Sequence, residues 1–247
     1  MKLAFASDMH GNLPAFEAVL TEIEERGSFD AVIGGGDYAF NGIYPAECVR
    51  RIRALDWDCV RGNTDEWLVQ AATDGEIPVR DCPPEQMHGP EMVERDKWAA
   101  SQVEPDHVAW LAELPLDWSI LGPSGQSLKF VHATPWSTHP PVGSDADESE
   151  KRKMLDEASV DVLLYGHIHD AYIEEIDGRT IACIGAVGLP FDGDPRPCFA
   201  IATDDGDGWT IEHVRVSYDN EAYARDVERS DLPGAEGVAR IVRTGSQ

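Results

Sequence analysis

The chain has 247 residues, of which 46 are acidic and 20 basic, giving a formal net charge of -26. A surface that grips the phosphate backbone of a duplex needs clustered Lys and Arg, so nucleic-acid duplexes are excluded as partners. No apolar run reaches the roughly 18 residues of a membrane span, and Ser7, Asp8 and His10 break the apolar start Lys2 to Ala6 before a leader peptide is formed.

A hydrophobic fraction of 42% is ordinary for a globular chain, and the expectation is a soluble cytoplasmic protein with one large α/β domain. The five cysteines, Cys48, Cys59, Cys82, Cys183 and Cys198, contain no Cys-x-x-Cys pair and are odd in number. That argues against a disulfide framework and a thiolate zinc site, and for small buried hydrophobes. Lysine is scarce among the basic residues (Lys2, Lys97, Lys129, Lys151, Lys153). Acid excess with little lysine suits a high-salt, halophilic cytoplasm, where self-repulsion is screened, although a merely acidic protein has the same composition.

In chain order, residues 2–7 read as a short buried strand that breaks at Asp8-Met9-His10-Gly11-Asn12. A helix over residues 13–26 follows, with Asn12 as N-cap and Phe16, Val19, Leu20 and Ile23 at helical spacing. Ala31-Val32-Ile33 is the next strand and runs into Gly34-Gly35-Gly36-Asp37. Residues 45–55 form a second helix with Pro45 in its first turn, and a third strand over 57–61 ends in Gly62-Asn63-Thr64-Asp65. This alternation predicts a parallel sheet whose polar loops gather beyond the carboxyl ends of the strands, where ligands bind in such sheets.

Residues 66–115 read as a helical excursion over the loop side of the sheet, either a cover for the site or a helix pair with only a packing role. Strands over 118–121 and 127–131 follow, the second leading into His132. An acidic loop and a helix near 150–157 come next, then the apolar strand 160–165, which delivers Gly166-His167-Ile168-His169. The strand-dense remainder (172–176, 180–184, 199–202, 210–216) predicts a second, largely antiparallel sheet packed on the first. Residues 218–247 read as one C-terminal helix, 220–229, and a mobile tail, so the domain proper covers residues 1–217.

The polar residues at the strand ends are Asp8, His10, Asp37, Asn63, His132, His167 and His169. They are seven oxygen and nitrogen donors without a thiolate. Asp8 with His10, and His167 with His169, are spaced i, i+2, which places both side chains of a pair on one side of an extended segment. Imidazole is the commonest side-chain metal ligand, so two such pairs beyond strand ends suggest a metal site.

In their order along the chain these blocks resemble the calcineurin-like metallophosphoesterase family, whose pattern is Asp-x-His, Gly-Asp, Gly-Asn-His-(Asp/Glu), a His, then Gly-His-x-His. Ile184-Gly185-Ala186-Val187-Gly188-Leu189-Pro190 is similar to the glycine-rich segment that closes the site in the small bacterial and archaeal phosphodiesterase-like branch. The resemblance implies an α-β-β-α sandwich of two mixed sheets face to face with helices outside. It also implies two divalent ions, one held by Asp8, His10, Asp37 and His169, the other by Asp37, Asn63, His132 and His167. Manganese is the metal that the resemblance favours, and mixed oxygen and nitrogen ligation suits Fe, Ni, Co or Zn as well. Two such ions against two carboxylates leave a positive site able to bind a phosphate ester in an acidic protein.

The implied reaction is hydrolysis by a metal-bridging hydroxide, with Asp37, Asn63 and His132 at the reacting centre. The substrate would be a small phosphate ester, most readily a phosphodiester, a nucleotide or a dinucleoside polyphosphate. A Ser/Thr phosphoprotein phosphatase stays open, as does a non-catalytic scaffold, because a retromer subunit resembles this branch. The chain departs from the family pattern at Thr64, where the Gly-Asn-His histidine would stand. A hydroxyl cannot replace imidazole as an acid near neutral pH, so His139 and His88 are the candidates for protonating the leaving group. Thr64 and Asp65 are equally candidates for capping the next helix. Oligomeric state is not legible in the sequence.

Overall fold

The structure is a computed structural model that describes residues 1–75 and 89–247, apart from the side chain of Asp74. Ten strands form two five-stranded sheets. In the first sheet, β1 (Lys2–Ala6), β2 (Ala31–Gly34) and β3 (Asp58–Cys59) run parallel, and β9 (Cys198–Asp204) pairs antiparallel with β1. The strand β10 (Trp209–Arg215) closes this sheet against β9. In the second sheet, β5 (Ser127–Val131), β6 (Val162–Tyr165) and β8 (Arg179–Cys183) are parallel. Antiparallel edges are added there by β4 (Asp117–Leu121) and β7 (Tyr172–Ile176).

The two-residue period of β1 explains the layering. Leu3 and Phe5 face inward and join Ile33, Leu128, Phe130 and Leu164 in the core between the sheets. Ala4 and Ala6 point outward, where they meet helices α1 (Leu13–Glu25) and α2 (Pro45–Arg53) through Phe16, Val19, Val49 and Ile52. On the far side, Met154, Leu155 and Ala158 of α6 (Glu148–Ala158) cover Leu163, Ile181 and Cys183. The result is the expected sandwich of two mixed sheets with helices outside.

Two expectations are corrected. The strands at 199–202 and 210–216 complete the first sheet rather than a separate antiparallel one, and the second sheet has a parallel centre. The burial of β9 shows why: it is apolar on both faces from Cys198 to Ala202, as a central strand must be. The stretch after residue 229 carries a second helix rather than only a tail. Here α8 (Ala235–Thr244) packs on α7 (Asn220–Arg229) through Tyr223, Val227, Val238 and Val242, with Leu189 beneath them.

The excursion contains α3 (Asn63–Asp74), α4 (Pro90–Ala100) and α5 (Pro105–Glu113). No helix among the described residues is long and apolar enough to cross a membrane. Cys48, Cys183 and Cys198 are buried free thiols and Cys59 is half-buried, whereas Cys82 and His88 lie outside the described residues.

Candidate metal centre

The loops after β1, β2, β5 and β6 and the start of α3 meet at one end of the sandwich. Backbone hydrogen bonds tie the first two together: Asp8 N–H donates to Gly36 O (3.0 Å) and His10 N–H to Asp37 O (2.9 Å). The glycine-rich segment locks the same loop from the other side, with Gly188 N–H donating to Asp8 O (2.8 Å). Asn12 caps α1 through Ala15 N–H (3.2 Å) and donates its amide to Gly188 O (3.0 Å), so the cap also fixes this junction.

Five of the seven donors occupy the left-handed region: Asp8 (φ 59°), His10 (47°), Asp37 (58°), His167 (66°) and His169 (56°). That conformation costs about 1–2 kcal/mol per L-residue. Strain of this kind persists only where surrounding structure over-determines it, and it collects at functional sites. Gly62 shows how tight the packing is, because a Cβ there would stand 2.0 Å from Asp37 Oδ1.

Two clusters result. In the first, His10 Nδ1 donates to Phe40 O (3.0 Å) and His169 Nδ1 to Leu189 O (2.5 Å). Each ring therefore presents an Nε2 lone pair, and the two Nε2 atoms face each other at 3.0 Å. Asp8 Oδ1 joins them 3.1 Å from His169 Nε2, buried and without a hydrogen-bond partner. Three buried electron pairs with no proton between them fit a cation and little else.

In the second cluster, His132 Nδ1 donates to Gly35 O (2.8 Å), which turns its Nε2 toward Asn63 Oδ1 (3.0 Å). His167 Nδ1 reaches the same oxygen at 3.0 Å. Asp37 stands between the clusters, with Oδ1 3.4 Å from His132 Nε2 and Oδ2 3.7 Å from His10 Nε2. The structure thus brings Asp8, His10 and His169, and Asp37, His132 and His167, together as two candidate metal-binding groups, with Asn63 Oδ1 beside the second.

The electrostatics suit this arrangement. Burial, reinforced by His169, pulls His10 down to about 4. Burial and His132 likewise pull His167 down to about 3, so both rings are neutral and able to ligate near pH 7. Burial opposes ionisation of Asp37, but His132 outweighs it and holds the carboxyl below its ordinary range. Burial also opposes protonation of His132, yet the Asp37 carboxylate lifts it to about 10. A proton on His132 thus balances some of the negative charge that a cation would balance.

The remaining candidates fall elsewhere. Thr64 is buried beside Asn63; its N–H donates to Asp37 Oδ1 (2.9 Å) and its hydroxyl has no hydrogen-bond partner. His139 is engaged at both nitrogens, accepting from Trp67 Nε1 (3.1 Å) and paired with Thr138 Oγ1 (2.9 Å). It is not among the residues lining the cavity over the donors. Asp65 does more than cap α3. Its carboxylate accepts from Gly62 N–H (2.8 Å), Asp37 N–H (2.8 Å) and Tyr38 N–H (3.1 Å), which ties two donor-bearing loops to one buried anion. Burial and the charge of Asp37 raise it to about 7.

The cavity holds about 470 Å³. Its floor is His10, Asp37, Asn63, His167 and His169 of the donor set with Thr64; its walls include Trp67, Phe191, Met92 and Arg95 of α4, and Arg240 and Ile241 of α8. Phe191 stacks on His169 with ring centroids 4.3 Å apart. None of these wall residues belongs to a motif, because only the fold brings them over the floor. A cavity of about 610 Å³ between α3, α4 and α5 is lined by Val69, Ala100, Val103 and Val108 and offers no comparable chemistry.

The fold and the donor set define a metal-dependent phosphoesterase. The sequence model of the calcineurin-like phosphoesterase superfamily domain matches residues 1–207, and the chain belongs to that family of phosphoester hydrolases. It is 26% identical over 254 residues to an uncharacterized protein of Methanocaldococcus jannaschii, covering 94% of this chain and 93% of the relative. A metallophosphoesterase from Sphaerobacter thermophilus matches with a TM-score of 0.73 and 25% identity over 99% of both chains. A hypothetical protein from Pyrococcus horikoshii OT3 shares the fold, with a TM-score of 0.82 at 18% identity, over 100% of this chain and 99% of that one.

Proposed function

We propose that the chain is a dinuclear phosphoesterase that cleaves small phosphodiesters or phosphoanhydrides such as nucleotides. The observation that carries this is the pair of adjacent donor clusters, with Asp37 offering one oxygen to each. Asp8, His10 and His169 would hold one divalent ion and Asn63, His132 and His167 the other, with Asp37 shared; manganese is the first metal to test. When bound, such ions neutralise phosphoryl charge and make water nucleophilic near neutral pH.

The protein supplies the rest. Backbone carbonyls fix the tautomers of His10, His132 and His169, as partners of metal-bound histidines do. The Thr64 hydroxyl, free at the cavity floor, donates to a phosphoryl oxygen of the substrate. No imidazole outside the donor set lines the cavity among the described residues, so no side chain there matches the family's leaving-group acid. Substrates whose leaving group departs without a proton are favoured accordingly. The acidic surface is taken to reflect a salt-rich cytoplasm.

Manganese-dependent hydrolysis of bis-p-nitrophenyl phosphate, lost in Asp37→Asn, is the expected result. A panel of diadenosine tetraphosphate, cyclic nucleotides and phosphopeptides then ranks substrates. No turnover of any of these with Mn, Fe, Ni, Co or Zn would overturn the proposal.

A further inference from the structure

In so acidic a chain almost every described arginine has a carboxylate within 4.0 Å, from Arg26 on the first helix to Arg243 on the last. Arg95, Arg229 and Arg240 are the described arginines that do not. Two of these three line the cavity over the donor clusters: Arg95 from α4 and Arg240 from α8. Chance pairing with the acid excess does not leave cations free there.

Arg95 carries a second mark. Its Nε is buried and has no hydrogen-bond partner among the described residues. A buried guanidinium N–H without an acceptor is costly, and a turn of the side chain toward the cavity it lines lets an oxyanion that arrives with the ligand satisfy it. Burial disfavours the charged guanidinium, and Asp96 and Glu91 on the same helix offset this only in part. The floor below holds Thr64 where the family pattern has an imidazole, so the described residues of the site offer no leaving-group acid while its wall offers unpaired positive charge.

We infer that Arg95 and Arg240 form a leaving-phosphate subsite, which makes polyphosphate-bearing nucleotides the preferred substrates of the proposed phosphoesterase. The inference rests on that proposed activity for its catalytic consequence, but the anion subsite itself does not need turnover. Water's oxygen bonds to the phosphorus over the floor, the bridging P–O bond breaks, and its electron pair leaves on the outer phosphate. The water's proton passes to solvent. A leaving phosphate has a second pKa near 6, about that of other phosphate monoesters, so it needs charge neutralisation rather than protonation. Guanidinium forks supply that bidentately. An alkoxide leaving group gains nothing from them.

The test compares the full chain with Arg95→Met, Arg240→Met, the double variant and Arg95→Lys, each checked for an unchanged melting temperature. Calorimetric titration of the metal-free proteins with inorganic tripolyphosphate should show binding weakened about ten-fold or more in the double variant, as loss of a charge-assisted contact implies. Arg95→Lys should recover part of it. In the manganese-loaded proteins, the ratio of kcat/KM for diadenosine tetraphosphate over bis-p-nitrophenyl phosphate should fall about ten-fold or more. Unchanged tripolyphosphate affinity, or an equal fall for both substrates, would overturn the subsite. If the wild type turns over neither substrate while the variants still weaken tripolyphosphate binding, the activity is refuted and the anion subsite stands.

Discussion

The floor and the cover of the cavity are built on different physical terms. The floor is rigid: its donors sit in loops cross-tied by backbone hydrogen bonds and at the start of α3, five of them in left-handed conformations. Much of the cover is made of side chains on α4 and α8 that share no backbone ties with those loops among the described residues, and Met92 there is 37% exposed. Metal geometry demands donors held closely, whereas substrate selection tolerates side chains that adjust. Changes to the floor should therefore abolish chemistry, and changes to the cover should redirect it.

The largest effect is expected at Asp37, the oxygen source for both clusters. Asp37→Asn or His167→Ala should lower kcat/KM for bis-p-nitrophenyl phosphate by more than about 100-fold, beyond what loss of an outer hydrogen-bond partner does. Circular dichroism should show the fold retained. Gly62→Ala tests the tightness of the floor without replacing a donor. Its Cβ would displace Asp37 Oδ1, and metal affinity by calorimetry should fall about 10–100-fold, the range typical of outer partners.

Asp65 links the two donor-bearing loops, and Asp65→Ala leaves three buried N–H groups without an acceptor. At about 1–3 kcal/mol per unsatisfied donor, urea unfolding should show a loss of about 3 kcal/mol or more, with a smaller loss in Asp65→Asn. On the cover, Met92→Ala should change stability by less than about 0.5 kcal/mol and leave metal stoichiometry as it was. An effect there as large as that of Gly62→Ala would erase the distinction between floor and cover. Smallest of all, raising salt from about 0.1 M to 1 M shortens the Debye length from about 10 to 3 Å and should raise the melting temperature of this chain. A lower melting temperature would count against the salt-rich setting.

The floor was legible because its chemistry is written in short blocks at strand ends: Asp-x-His, Gly-Asp, Gly-Asn and His-x-His each follow an apolar run. What those blocks do not carry is the left-handed backbone at Asp8, His10, Asp37, His167 and His169, which arises from loops closing on one another. The position of β9 was misassigned because its neighbour β1 lies almost 200 residues away along the chain, and local pattern is blind to such pairing. Its unbroken apolar run was the available signal. Arg95 and Arg240 had none, since an arginine without a partner is recognisable only when every other arginine has been placed. His139 looked suitable from its position after His132, but Trp67 and Thr138 occupy its ring.

The central claim is that the floor holds two cations per chain. Calorimetric titration of the metal-free protein with Mn²⁺, checked by elemental analysis after dialysis, measures it directly. Two equivalents for the wild type, with fewer in Asp37→Asn, is the predicted result. A stoichiometry of one, or binding that Asp37→Asn leaves intact, would contradict it.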